Sequence, residues 1–432
     1  MSDLFKWSFG TSGRAFERTH PWLTFDLETK RFGPRVWLAL GEARSKCDHL
    51  AGVPLNPDVA RKLHQIFLAK GVHATAAIEG NTLTELQVLA RVEGKASTVP
   101  PSQKYLATEI DNVIAVANDI AGLVERGGDT RITPEQIQSY NREILKNLEH
   151  EDHVVPGEYR KTNVGVMDYA APAWQDCAFL VDTLCDWLNS PAFNSEDSDE
   201  LIVKGIIKAI VAHLYIAWIH PFGDGNGRTA RAMEVRFLME AGVPSSAGHL
   251  LSNHYNQTRS EYYRRLQEAS KNGGDPTNFI AYAVHGMTDQ LRTQLVAVRA
   301  HQWNAAWQNY IYERFGTDKT LADKRQISLL LALSESDDPV PTNRLRRLTP
   351  ELAEMYAKKT AKTLTRDINH LVEMELAVRD EKGVRARREI ILAFLPRMIK
   401  DKRDMLLDHS LRMTEEAGQI SPDALSMLDG TI

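Results

Sequence analysis

The sequence predicts a mainly α-helical fold with two short β-hairpins, arranged as a large N-terminal bundle and a smaller C-terminal module. Three observations carry this. Capped helix starts recur along the chain, as at Asn56-Pro57-Asp58 and Thr133-Pro134-Glu135-Gln136. Helical periodicity lapses in two stretches, one ending at Pro172 and one around Gly383, where turn residues flank β-branched ones. Composition changes near Gly316, where a second run of helices begins.

The elements follow in order. Asn56 caps a helix with proline in its first turn, which continues, with a break expected at Gly71, toward a stop at Gly80-Asn81. Thr82 with Glu85 gives a capping-box signature for the next helix. An amphipathic run then extends from Tyr105 to about Arg126, and the start at Thr133 leads to about Leu148. Pro156-Gly157 and the β-branched YRKTNVGVMDYAAP segment predict a short hairpin. Helices are expected at Asp176–Trp187, Glu200–Ile219, Arg228–Ala241, Arg259–Ser270 and Asp275–Arg299. Beyond Gly316 come helices at Lys324–Ser334, Pro350–Tyr356 and Thr360–Met374, then two extended segments around Gly383. Three helices followed by a hairpin is the order of a winged helix-turn-helix module.

At 432 residues, with 43% hydrophobic and 25% charged residues, the chain has an ordinary globular composition and room for two or three domains. A net charge of −5 gives no overall pull toward nucleic acid. Cys47, Cys177 and Cys185 are odd in number and fit no zinc spacing, so they read as bystander thiols of a reducing compartment. No signal segment is evident, and the apolar stretches read as too short and interrupted for a bilayer. The expectation is a cytosolic protein with no membrane partner. Trp7, Trp22 and Trp37 are expected to pack an N-terminal arm on the core, and His213 to be a satisfied core residue.

The chemistry concentrates in HPFGDGNGRTAR, residues 220–231, between an apolar run and a helix. Gly223, Gly225 and Gly227 let the backbone bend, so that its N–H groups and the helix N-terminus form an anion cradle. Asn226 can hold the turn, and Asp224 offers a hard carboxylate for Mg²⁺ bridging phosphates. Arg228 and Arg231 are forked phosphate donors, and His220 can accept a proton from a hydroxyl. The chain has no GxxxxGK[ST] loop, which excludes a P-loop as the source of such a site.

That segment resembles the Fic-family motif HxFx[DE]GNGRxxR at every specified position: His220, Phe222, Asp224, Gly225, Asn226, Gly227, Arg228 and Arg231. Upstream, GEYRKTNVGV is similar to the family's flap segment, with Val164, Gly165 and Val166 expected to align a target chain. Downstream, LSNHYNQTRSEYYRRL resembles the segment lining the nucleotide base, where Tyr263 is the candidate contact and Tyr262 its neighbour. The resemblance implies a Fic-type helical bundle with a hairpin flap and transfer of AMP from ATP to a Ser, Thr or Tyr hydroxyl of a target protein. His220 would be the base, Asp224 the Mg²⁺ ligand, and Arg231 the clamp on the terminal phosphate. Gly227, where phosphorylating relatives carry lysine, favours AMP transfer.

Thr75, Glu79 and Gly80 resemble the family's inhibitory motif [ST]xxxE[GN], placed here before the catalytic core. Glu79 would then compete with ATP for Arg231, and its removal would raise transfer and self-modification. The resemblance also allows the same glutamate to orient a water for AMP removal, and the sequence does not decide between the two roles. The organisation expected is an N-terminal arm with the inhibitory helix (1–100), a catalytic core (101–315), the winged-helix module (318–395) and a tail (396–432). In that module Ala361, Leu364, Ile368, Leu371 and Val372 form one face of a helix. Lys358, Lys359, Lys362 and Arg366, with Arg385, Arg387 and Arg388 in the hairpin, suit DNA phosphates, although Asp367, Glu373, Glu375, Asp380, Glu381 and Glu389 weigh against it. A protein-docking or homodimer module, or a DNA-binding regulator that only senses ATP, are the alternatives.

Overall fold

The computed structural model describes residues 13–391, apart from 96–98, 167–168, 272 and 337. Trp7, the hairpin tip at Met167-Asp168 and the tail from 396 onward lie outside the described residues. The described residues divide into two compact units, 13–295 and 296–391.

In the first unit, α1 (Phe16–Thr19) and α2 (Pro34–Ala51) precede α3 (Pro57–Ile78). The Asn56 side chain accepts from the Asp58 N–H and fixes the start of α3. Helix α3 runs unbroken through Gly71, contrary to expectation. A Cβ there would lie 2.1 Å from the His249 Cβ, so this glycine serves close packing and not a kink. The capping box sits at Thr84 and Gln87, opening α4 (Glu85–Val92), and not at Thr82 and Glu85. Asn81 explains the displacement, since its side chain accepts from the Leu83 N–H and keeps Thr82 in a turn.

Helix α5 (Lys104–Glu125) precedes α6 (Pro134–Ile144), which carries the expected Thr133–Gln136 capping box. Helix α6 stops before Leu148 because the Asn112 amide takes the carbonyls of Ile144 and Lys146, 3.1 and 2.7 Å away. The hairpin is present as β1 (Gly165–Val166) and β2 (Tyr169–Ala170), paired antiparallel. Then come α7 (Cys177–Leu188), α8 (Ser198–Ile219), α9 (Asn226–Glu240), α10 (Leu250–Gln257), α11 (Arg259–Lys271) and α12 (Thr277–Phe315). Helices α2 and α10 were not anticipated, and α12 continues well past Arg299.

Helix α8 is apolar all round, and such a helix belongs in the interior. Contrary to the sequence reading, it is long and apolar enough to cross a membrane, with a mean hydropathy of 1.7, but 83% of that stretch is buried in the protein. Gly205 lets α9 pack tightly on it, because a Cβ there would lie 2.1 Å from that of Ala241. The three cysteines are free and buried; burial pushes the Cys47 thiol up to about 12 and raises Cys177 and Cys185. Trp22 packs against the core, whereas Trp37 is largely exposed beside Phe32.

The second unit holds the end of α12 with α13 (Leu321–Ser334), α14 (Pro350–Ala357), α15 (Ala361–Glu373), β3 (Ala377–Arg379) and β4 (Val384–Ala386). Strands β3 and β4 are antiparallel, and Val340 bridges Val384 on the other edge of β4. Gly383 permits this approach, since a Cβ would lie 2.3 Å from the Val340 carbonyl oxygen. Trp307, Leu330, Leu352, Ile368 and Val384 form its own core. On α15, Leu364, Ile368 and Leu371 face inward as expected, but Ala361 and Val372 are exposed. Asp367 points inward instead, held by Arg325 at 2.7 and 3.0 Å, Gln326 at 3.0 Å and the Tyr356 hydroxyl at 2.8 Å.

Candidate active site

Helix α8 ends at His220, which turns the chain by adopting a left-handed conformation with φ of 48°. A non-glycine residue there is strained by roughly 1 kcal/mol, so the surroundings must hold it. They do so on several sides. Phe222 is buried against the Tyr159 ring, with centroids 5.7 Å apart. The Asn226 side chain accepts from the Phe222 N–H and donates to the Phe222 carbonyl, both at 2.9 Å. Buried Asn141 donates to the Asp224 carbonyl at 2.9 Å and accepts from the Gly157 N–H at 2.9 Å. Gly225, at φ 77°, precedes the first turn of α9, where a Cβ would collide with the Asn141 amide.

A cavity of about 540 Å³ opens beside this loop. Its polar end carries Glu79, His220, Asn226, Gly227 and Arg231, and its aromatic wall carries Tyr169, Trp218, Tyr262 and Tyr263. Ile78, His213, Ala217, Ser260, Arg264, Leu266, Gln267, Ser270 and Val166 complete the lining. The turn between two helices has thus brought the motif to a pocket lined by both charged and aromatic side chains. Asp224, Gly225, Arg228, Val164 and Gly165 do not line it. Val164 closes the hairpin base through its carbonyl, while Gly165 and Val166 are exposed.

Arg228, expected to reach a phosphate, is turned away from the cavity. Its guanidinium is buried against Glu109 at 2.6 Å and reaches Asp224 at 3.2 Å. A charge placed so is bound to its carboxylate partners and holds α5 to the loop. Arg231 is different. Its Nε donates to the Thr75 hydroxyl at 2.5 Å, and its Nη2 to the Thr75 carbonyl at 3.0 Å and to Glu79 Oε1 at 2.6 Å. Its Nη1 is buried with no hydrogen-bond partner among the described residues.

Glu79 caps the C-terminus of α3, and its side chain is 32% exposed. Its carboxylate lies at the N-terminus of α9, so close that a Cβ on Gly227 would be 2.5 Å from Oε1. Burial raises the Glu79 pKa, but Arg231, with Arg228 and Arg259, outweighs it and holds the carboxyl below the usual range. The Ile78 carbonyl beside it accepts from Tyr263 at 3.2 Å and from Arg259. His220 is lowered to about 4, first by burial and then by Arg160, against the Ala217 backbone, Glu79 and Asp224. It is therefore neutral at pH 7 and able to accept a proton.

Behind the aromatic wall, His213 Nε2 meets the Tyr262 hydroxyl at 2.9 Å and Nδ1 lies 2.9 Å from Glu234. The Tyr255 hydroxyl donates to the same carboxylate at 2.9 Å. His213 is thus fully buried in the core, as read, but its Nδ1 lacks a hydrogen bond among the described residues and the residue also lines the cavity. Thr75 and Arg160 were legible only as parts of motifs, and Glu109 and Asn141 carried no local signal. Their partners are separated from them in sequence and meet only in the fold.

Residues 131–238, which contain His220 and Arg231, match the family model described as Fic/DOC family. The chain is 30% identical over 246 residues to a protein adenylyltransferase Fic of Nematostella vectensis, covering 56% of this chain and 52% of that protein. It is 31% identical over 211 residues to one from Drosophila grimshawi, covering 49% and 39% respectively. The match thus spans about half or less of the length of these curated relatives. A Fic family protein from Desulfovibrio desulfuricans G20 aligns over 81% of this chain and 93% of its own, with a TM-score of 0.49 and 21% identity. The similarity to the Fic/DOC family is thus carried by the domain at residues 131–238.

Proposed function

We propose that the chain transfers AMP from ATP to a hydroxyl of a protein substrate, and that Glu79 restrains this transfer. The observation that carries the reading is the Glu79 carboxylate on Arg231 at 2.6 Å, placed at the α9 N-terminus beside Gly227. An anion already fills the place where helix dipole, loop N–H groups and a buried guanidinium favour one. ATP would enter with its base toward Tyr262 and Tyr263 and its phosphates toward Asn226, Gly227 and Arg231. Neutral His220 takes the acceptor hydroxyl's proton; the oxygen bonds to the α-phosphorus as the bond to pyrophosphate breaks, and pyrophosphate leaves with the electron pair. With Glu79 on Arg231, the terminal phosphate is displaced and the attack is out of line.

Asp224 fits Mg²⁺. Its carboxylate is 49% exposed, and it accepts from the Gly225 N–H and from Arg228. A single exposed carboxylate suits an ion whose other ligands are substrate phosphates and water. Bound there, Mg²⁺ would neutralise phosphate charge. The exposed β1 backbone at Gly165 and Val166 offers an edge for aligning a target chain by strand pairing.

The test uses ATP labelled at the α-phosphate. Glu79→Gly should raise protein labelling on the order of tenfold or more, self-labelling included, and His220→Ala in that background should abolish it. Equal labelling with and without Glu79 would sink the restraint, and label arriving from the γ-phosphate would sink AMP transfer.

A second reading concerns the winged-helix expectation for the second unit and DNA as its partner. The observation favouring it is how the charges are divided. Asp367 is drawn inward by Arg325, Glu389 pairs with Arg385 and Glu375 with Arg387. Arg388 is used on the Ser334 carbonyl and the Trp303 ring. The hairpin arginines expected to meet phosphates are thereby occupied. Lys362 and Arg366 remain exposed on one face of α15 with Thr365, Asn369 and Glu373, and Lys358 and Lys359 are exposed just before the helix. Such a face suits a DNA groove and its backbone. Fluorescence anisotropy with duplex DNA should show binding that weakens with salt and is lost in Lys358→Glu/Lys359→Glu. Binding that persists in this variant would count against the face.

A further inference from the structure

Arg160 lies beneath the hairpin with 2% of its surface exposed, and among the described residues it makes no ion pair. Its partners are backbone carbonyls. Nε donates to His220 at 2.8 Å, Nη1 to Thr162 at 2.7 Å, and Nη2 to Pro172 at 2.6 Å, with Ile219 at 3.5 Å. Its own N–H donates to the Pro221 carbonyl at 2.9 Å. Two groups of acceptors are joined here. Ile219 and His220 end α8, where unpaired carbonyls and the negative pole of the helix dipole compensate a buried cation. Thr162 and Pro172 flank the two strands of the hairpin on either side.

We propose that Arg160 is a positioning residue that fixes the hairpin relative to His220, so that an acceptor hydroxyl presented along β1 meets the imidazole in line with the α-phosphate. This rests on the AMP-transfer reading. A planar guanidinium with donors pointing in three directions can bind three carbonyls of two chain segments at once; an ammonium cannot reproduce that geometry. The fork grips the backbone of His220 itself, a residue already held in a strained conformation, so slack in the fork passes directly to the base. Of the residues that line the cavity, its side chain hydrogen-bonds to His220 alone among the described residues. Nucleotide binding should therefore survive its loss. What should suffer is the alignment of two reactants carried on two segments.

The distinction is tested by what attacks ATP. In the Glu79→Gly background, Arg160→Lys and Arg160→Gln are assayed for transfer to a protein acceptor and for hydrolysis of ATP to AMP. Water needs no hairpin. Transfer should fall about tenfold further than hydrolysis, with the KM for ATP little changed and Arg160→Lys less affected than Arg160→Gln. An equal fall in both reactions in either folded variant would reduce Arg160 to a structural stitch and overturn the proposal. A substrate-free arm follows the His220 imidazole by NMR. The charged groups that face it are Arg160, Glu79 and Asp224, and Arg160 is the cation among them. Its titration should move upward in Arg160→Gln and stay nearly in place in Arg160→Lys; an unmoved titration in Arg160→Gln would overturn the contact. If the Glu79→Gly parent transfers no AMP at all, the functional reading has failed, and the NMR arm still decides whether Arg160 governs His220.

Discussion

Arg231 already holds one anion, Glu79, and in the proposed reaction it would receive a second where Gly227 leaves room for only one. A methyl group at Gly227 would lie 2.5 Å from Glu79 Oε1 and 3.1 Å from Arg231 Nη1. Gly227→Ala should thus fill the cradle for either occupant, weakening ATP binding by about tenfold, in keeping with an overpacking cost of roughly 1–3 kcal/mol. Equilibrium binding of ATP would show it. Proton linkage at the same place has a definite sign. The Glu79 carboxyl is held below the usual range, so its pairing with Arg231 is complete at neutral pH and is lost only as pH falls through that lowered value. His220, at about 4, is already deprotonated above pH 6. Removing Glu79 takes away a negative charge that raises it, and so lowers it further. The rate of Glu79→Gly should be flat between pH 6 and 8; an acid limb near the ordinary histidine value would contradict a buried, neutral base. At this scale the motif was legible because its residues are contiguous. Arg228 was not, because the carboxylate that claims it, Glu109, lies 119 positions away.

Helices were read best where their signals are local. The starts of α3 and α6 depend on a capping side chain and a proline within a few residues, and both appear where the sequence puts them. Thr133→Ala should accordingly destabilise the first unit by about 1 kcal/mol, measured by denaturant unfolding. Ends and interruptions depend on distant chain. Asn112, on α5, takes the carbonyls at the end of α6, and His249 explains the glycine in the middle of α3. Gly71→Ala, a favourable change in an isolated helix, should here be unfavourable by roughly 1–3 kcal/mol, because its methyl would meet His249 Cβ at 2.1 Å. The hairpin was legible from its turn residues and β-branched content. Its attachment to the catalytic loop through Arg160 was not, since that bond is between a side chain and remote carbonyls.

Each of the two units carries its own core, so their stabilities can be probed separately. In the second, Asp367 is 2% exposed and satisfied by Arg325, Gln326 and Tyr356. Asp367→Ala strands the buried guanidinium and should cost this unit about 3–5 kcal/mol, lowering one calorimetric transition and leaving the other in place. Burial raises the Asp367 carboxyl, but its hydrogen bonds outweigh that and lower it. Its contribution is therefore present above the unfolded value and lost as pH falls through the folded one. The charge balance that obscured this region in the sequence is resolved by the fold, which places Asp367 inside and leaves Lys362 and Arg366 outside. The cysteines allow the two units to be told apart without any substitution. Cys47, Cys177 and Cys185 all belong to the first unit, and each is a buried thiol with a raised pKa and hence a poor nucleophile while the fold is closed. A thiol reagent can react with the native chain only as fast as that unit opens. The rate of labelling becomes a stopwatch for the first unit, silent to the melting of the second.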